Sequence, residues 1–207
     1  MTKPLTQLYF FGKRALDIGG SLLLLTGLSP LLCAITVWIW WEDGRPIFFT
    51  QTRAGQQGQH FRIFKFRTLS SPPDDPTQAA AHTTRSGAIL RRWALDELPQ
   101  LWNVLRGEMS LVGPRPPLPG DVDRYGPHER LRLLVQPGLT GWAQIHGRNA
   151  LSWPRRIEHD IWYIRNRSLL LDLQILVRTP SVLISGKGVY GAETRNPSFS
   201  SIRSNYD

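Results

Sequence analysis

Between residues 15 and 41 the chain is almost wholly apolar, and Gly27, Ser29 and Pro30 interrupt the run near its middle. At about 1.5 Å of rise per helical residue, a run of this length matches a bilayer core of about 30 Å. It exceeds the apolar part of a cleaved leader and continues directly into the rest of the chain. Proline removes a backbone donor and clashes with the preceding turn, and Gly27 weakens the helix further. Two geometries stay open on these residues: a helix that spans the membrane, or one that breaks at Ser29-Pro30 and returns to the face it entered from. Lys3, Lys13 and Arg14 favour the cytoplasmic face for the N-terminus. Trp38, Trp40 and Trp41 suit an aromatic anchor at the interface.

Charge bears on what the rest of the chain meets. Lys+Arg total 25 against Asp+Glu 16, a formal net charge of +9, which favours nucleic acid, anionic lipid or phosphorylated substrates. The basic residues are dispersed and form no RNA- or DNA-reading motif, so nucleic acid is not an expected partner. Cys33 is the only cysteine; it excludes an internal disulfide and, within the apolar run, is expected to be buried. His60, His82, His128, His146 and His159 show no zinc-ligand spacing.

Beyond the apolar run, residues 46–51 and 61–66 are β-rich around Gly55 to Gly58 and predict a hairpin, with Lys65 on the face of Phe61 and Ile63. Residues 70–86 have no apolar period and read as a mobile surface loop, with Asp74 and Asp75 in solvent. Asp96 is expected to cap a helix whose first turn holds Glu97 and Pro99; Leu98, Leu101, Trp102 and Leu105 recur at helical spacing before Gly107. The stretch 138–142 reads as a turn. Residues 153–167 predict a helix with Ile157, Ile161 and Ile164 on one face. A second apolar segment, 169–184, is interrupted by Asp172, Gln174, Arg178 and Pro180. Neither is a clean span, and both suit helices at a membrane interface or packed beneath the apolar run. Residues 186–207 form a polar tail expected to be loosely ordered.

Asp96 and Glu97 pose the chemical question. Acidic residues in a first helical turn usually serve the helix alone. A helix start also receives phosphates, and a carboxylate held there can attack phosphorus when a metal or arginine offsets the repulsion. The context carries a stronger signal. Leu95-Asp96-Glu97-Leu98-Pro99-Gln100, followed by Ser110-Leu111-Val112-Gly113-Pro114-Arg115-Pro116, closely resembles the core of the bacterial sugar transferase family, the monotopic phosphoglycosyl transferases. Phe48-Phe49-x-Gln51-x-Arg53-x-Gly55, Lys65-Phe66-Arg67-Thr68, the stretch 136–144 and Gly147-Arg148-Asn149 extend the likeness over residues 10–190, in the minimal catalytic-core form.

The resemblance implies an α+β, predominantly helical fold with a re-entrant membrane helix broken at Ser29 and Pro30, a small β-hairpin, and interfacial amphipathic helices around the catalytic core. It divides the chain into a membrane element (1–44), a cytosol-facing core (45–190) and a tail (191–207), held at the bacterial cytoplasmic membrane. The activity implied is transfer of a sugar 1-phosphate from a UDP-sugar to polyprenyl phosphate, through a phosphosugar on Asp96 and with release of UMP. Glu97 is the expected ligand of Mg²⁺. Lys65, Arg91, Arg115 and Arg148 are expected at donor phosphate or nucleotide, and Arg67 less strongly so. Roles for Asp160 and Asp172, and any self-association of the chain, stay open. The rival readings are an inactive membrane scaffold and a basic protein that binds anionic lipid or nucleic acid by charge alone.

Overall fold

The computed structural model describes residues 4–70 and 82–185. Its first two helices, α1 (Pro4–Gly27) and α2 (Ser29–Asp43), are separated by Leu28 alone and bend by 61°. The bend follows from Pro30, which has no N–H to offer the Thr26 carbonyl. The Ser29 hydroxyl donates to that carbonyl instead, at 2.7 Å. No single described helix is long and apolar enough to cross a membrane, but this bent pair passes on length and composition together. Leu8, Phe11, Leu22, Leu23, Val37, Trp40 and Trp41 face outward along it.

Polar residues of α1 tie it to the core. Asp17 is fully buried, and its Oδ1 accepts hydrogen bonds from the Leu111 amide (2.9 Å) and the Ser110 hydroxyl (3.0 Å). Lys13 Nζ lies 3.3 Å from Asp17 and 3.2 Å from Asp172. Arg14 donates to the carbonyls of Val104 and Leu105 at 2.7 and 2.8 Å, closing the end of a helix. These two cations therefore tie α1 to the core; Lys3 lies outside the described residues. Cys33 corrects a second expectation, because it is exposed. Of α2, Ile35 and Ile39 are buried against Phe66 and Leu90, with Leu32 partly buried beside them.

Strands β1 (Phe48–Ala54) and β2 (His60–Phe66) form the antiparallel hairpin, in register from Phe48↔Phe66 to Ala54↔His60. Phe61 and Ile63 enter the main core. Arg67 pairs with Asp43 at 3.0 Å and also bonds the Asp43 and Gly44 carbonyls. It closes the end of α2. Residues 71–81, most of the expected loop, and the tail 186–207 are outside the described residues. Of the rest of that loop, Thr84 caps α3 (Arg85–Arg92), and Ser86 is buried within the helix.

A 3₁₀ helix, Leu95–Gln100, leads into α4 (Leu101–Arg106), which Gly107 ends at φ 81°. Asp96 sits inside that 3₁₀ helix and does not cap it; the preceding residue is Ala94, in the left-handed conformation at φ 55°. Strand β3 (Ser110–Val112) pairs in parallel with β4 (Gly138–Thr140), so the expected turn at 138–142 is largely strand. Short helices α5 (Pro119–Val122) and α6 (Pro127–Arg130) lie between these strands, and α7 (Trp142–Ile145) follows β4. Helices α8 (Trp153–Asn166) and α9 (Leu169–Ser185) complete the fold. The main core joins Phe61, Ile63, Leu101, Val104, Met109, Leu111, Val112, Tyr163, Leu171 and Ile175. Helix α9 leaves Leu170, Leu173, Val177 and Ile184 exposed, the apolar face expected of an interfacial helix. The molecule is predominantly helical with a small sheet content, as its sequence implies.

Candidate active site

Backbone geometry brings the acidic pair against β2. The left-handed residue Ala94 turns the chain out of α3, and the 3₁₀ helix then lies along the strand. Lys65 reaches across from β2, and its Nζ donates to Glu97 Oε1 at 2.7 Å. Arg115 comes from the proline-rich loop after β3. Its guanidinium grips both Glu97 oxygens, Nη2 to Oε1 at 2.6 Å and Nη1 to Oε2 at 3.2 Å, the fork that suits a carboxylate.

The loop carrying Arg115 is held from behind. Arg53 donates to the Pro116 carbonyl at 3.2 Å and Arg132 to the Arg115 carbonyl at 3.3 Å. Arg132 is itself buried, 2.7 Å from Asp160 and 2.7 Å from the Tyr125 hydroxyl. This resolves both undecided acids. Asp160 balances Arg132, and Asp172 balances Lys13 while accepting from Tyr163 at 2.7 Å. Arg91 is oriented by Thr68, to which its Nε donates at 2.9 Å, and its charge acts on Asp96. Arg148 adopts φ 52° in the turn after α7 and acts electrostatically on Glu97, Arg115 and Asp96.

Two neighbouring carboxylates thus sit in different environments. Burial works against charge on Glu97, but the Arg115 and Lys65 cations and their hydrogen bonds outweigh it and hold that carboxyl well below the usual range. Asp96 is pushed the other way, up to about 6, by burial first and by the Glu97 charge second; Lys65, Arg115 and Arg91 pull against the rise. Among the described residues nothing hydrogen-bonds the Asp96 carboxylate. A pair of titratable groups driven apart is one way a site divides two roles: here Glu97 is a compensated anion held by Lys65 and Arg115, and Asp96 beside it carries no such clamp.

For a metal, Glu97 Oε1 is filled by two donors and Oε2 accepts one, which leaves a lone pair on Oε2 beside Asp96. One or two carboxylates suffice for a Mg²⁺ that also binds phosphate and water. The donor set fits that ion and is too sparse for a closed protein cage: no group of three acidic, His or Cys residues among the described residues could hold a metal.

Two cavities share elements with the site, one through Pro99 of the 3₁₀ helix and one through Arg115. One, of about 350 Å³, is apolar and includes Leu25, Leu32, Phe48, Phe66, Pro99 and Trp102 in its lining, so it runs from the α1–α2 bend to the 3₁₀ helix. The other, of about 40 Å³, is polar and lies behind Arg115. Lys65, Arg91, Arg115 and Arg148 are thus all brought around Asp96 and Glu97, while Ser29 and Pro30 stand at the bend. Sequence reasoning did not single out Arg53, Arg132, Gln144 or Arg156. Arg53 lay within a quoted motif, and the side of the strand it occupies could have drawn attention to it.

The family model described as Bacterial sugar transferase matches residues 8–186. The chain is 39% identical over 180 residues to "Uncharacterized sugar transferase EpsL" of Bacillus subtilis, covering 86% of this chain and 89% of that protein. It is 39% identical over 194 residues to "UDP-N-acetylgalactosamine-undecaprenyl-phosphate N-acetylgalactosaminephosphotransferase" of Aeromonas hydrophila, covering 88% of this chain. Identity to "UDP-glucose:undecaprenyl-phosphate glucose-1-phosphate transferase" of Xanthomonas campestris pv. campestris is 40% over 197 residues, again 88% of this chain. The chain spans 46% and 41% of those last two relatives, less than half of each.

Proposed function

Because the chain belongs to the bacterial sugar transferase family, we propose that it moves a sugar 1-phosphate from a uridine diphosphate sugar to polyprenyl phosphate through a phosphosugar on Asp96. The observation that carries this reading is the divided pair: Glu97 clamped by Lys65 and Arg115, Asp96 beside it and uncommitted. In the first step an Asp96 carboxylate oxygen attacks the sugar-linked phosphorus. The bond from that phosphorus to the bridging oxygen breaks, its electron pair stays on the oxygen, and UMP leaves. In the second step a phosphate oxygen of the acceptor attacks the same phosphorus, the Asp96 ester breaks, and the carboxylate is regenerated. Splitting the transfer means that two anionic substrates need not occupy the site together.

Lys65, Arg91, Arg115 and Arg148 neutralise phosphate charge, the main demand of phosphoryl transfer. Glu97 would hold the Mg²⁺ through its less occupied Oε2. Bound there, the ion supplies further charge neutralisation on donor phosphate oxygens. The apolar cavity beside Pro99 and Trp102 suits the first isoprene units of the acceptor. The bent helix pair enters the cytoplasmic membrane and returns, leaving the core on the cytoplasmic side. Products of such a transfer begin membrane-linked glycans. The names of the relatives include more than one sugar, so the donor is to be found by assay.

Purified protein supplied with polyprenyl phosphate, Mg²⁺ and a panel of UDP-sugars should release UMP with one donor and form the lipid-linked product. Chelation should stop turnover, and Mg²⁺ should restore it. No product with any donor would refute the reading.

A further inference from the structure

The polar cavity behind Arg115 is lined by Gln144, Arg148, Arg156 and Asp160 as well. Its hydrogen-bonding groups are underused. Among the described residues neither the Oε1 nor the Nε2 of Gln144 has a partner, and the same holds for Arg148 Nη1 and Arg156 Nε, although all four atoms are buried. Arg156 is only 8% exposed. It rests 4.7 Å over the Trp153 ring and spends one long hydrogen bond, 3.3 Å, on the Leu151 carbonyl. Buried donors without acceptors are costly and call for an explanation. The one acid at the cavity, Asp160, is committed to Arg132 at 2.7 Å. Three guanidinium groups therefore converge on one small space that contributes no free anion of its own.

Three of the four unpartnered atoms, Gln144 Nε2, Arg148 Nη1 and Arg156 Nε, are donors, and an oxyanion would satisfy them together. A cavity of about 40 Å³ has room for roughly three waters, the scale of a phosphate group and not of a nucleoside. Arg115 joins this space to the reacting carboxylates, because the same side chain grips Glu97. We propose that the cavity is the subsite for the phosphate of the departing nucleoside monophosphate, and that Gln144 and Arg156 are the residues that hold it there. The proposal rests on the transfer reaction above and adds to it. When the bond to the bridging oxygen breaks, that oxygen becomes a terminal oxygen of UMP and gains charge. Arg148, Arg156 and the Gln144 amide stand ready as donors to it.

The acceptor also ends in a phosphate, so the test must separate the two. Calorimetric titration of UMP into the full-length protein, alongside the KM for polyprenyl phosphate, does so. Gln144→Glu keeps the shape of the side chain and puts an anion into the cavity; Arg156→Ala removes a donor, and Arg156→Lys returns the charge. The expected result is UMP binding at least tenfold weaker in Gln144→Glu and Arg156→Ala and largely restored in Arg156→Lys, with a melting temperature no lower than wild type in Gln144→Glu and an unchanged acceptor KM. Should Arg156→Ala fail to fold, Gln144→Glu decides alone. Wild-type affinity for UMP in Gln144→Glu overturns the proposal, and so does a rise confined to the acceptor KM. Absence of both UMP binding and UMP release in the wild type would instead count against the transfer reaction itself.

Discussion

At neutral pH the site holds an ionised Asp96 whose burial, and whose neighbour Glu97, both favour the proton. The sign of the consequence is fixed. A carboxyl raised from 3.8 to about 6 in the fold adds its stability below pH 4, and that contribution is lost as pH rises through about 6. Asp96→Asn removes the buried charge and its repulsion with Glu97. It should therefore stabilise the protein at pH 7 by about 1–3 kcal/mol, with the gain over wild type shrinking as pH falls from about 6 to about 4, while abolishing transfer. Thermal melts at pH 7.5 and pH 4 check both signs, and a destabilised Asp96→Asn would contradict the assignment of strain to this carboxylate. For turnover, the free enzyme must present the ionised nucleophile, so kcat/KM for the donor should fall about tenfold per pH unit below about 6. A flat profile between pH 5 and 7 would argue against attack by Asp96.

Among the elements, the bend between α1 and α2 and the pair Arg132–Asp160 make separate claims. Restoring an N–H and releasing the clash at position 30 should straighten the helix, so Ser29→Ala/Pro30→Ala should carry the N-terminus across the membrane. Labelling of a cysteine placed at residue 2, in a Cys33→Ser background, by a membrane-impermeant reagent reports this: protected in the parent, labelled from the far side in the variant. Labelling of the parent from the far side would refute the re-entrant path. Arg132→Met leaves Asp160 as a buried, unpaired charge and should cost about 3–5 kcal/mol, with Arg132→Met/Asp160→Leu recovering most of it; denaturant unfolding measures the difference. The apolar cavity belongs to the second half-reaction. Leu32→Trp should fill it and raise the acceptor KM, while phosphosugar formation from the donor alone stays near wild type.

Across the whole molecule, what the sequence made legible was what repeats at short range or matches a motif. Period-two alternation placed Lys65 with Phe61 and Ile63, Pro30 marked the bend, and the run around Asp96 and Glu97 pointed to the family. Contacts between distant segments were not legible: nothing local to Arg14 says that it closes a helix ending at Arg106, and nothing local to Arg67 says that it closes α2. Strands β3 and β4 are three residues each, too short to show a period. Cys33 was misplaced because apolar neighbours in sequence imply burial only where another element packs against that face of the helix, and none of the described elements does at Cys33. Gln144 and Arg156 became visible only once α7 and α8 were folded around one cavity. The measurement that bears most directly on the reaction is the intact mass of the protein after incubation with Mg²⁺ and each UDP-sugar, without acceptor. The expected result is a mass increase of one sugar phosphate with a single donor, mapped to Asp96, absent in Asp96→Asn and discharged by polyprenyl phosphate. Turnover with acceptor present but no adduct at Asp96 would contradict the two-step mechanism.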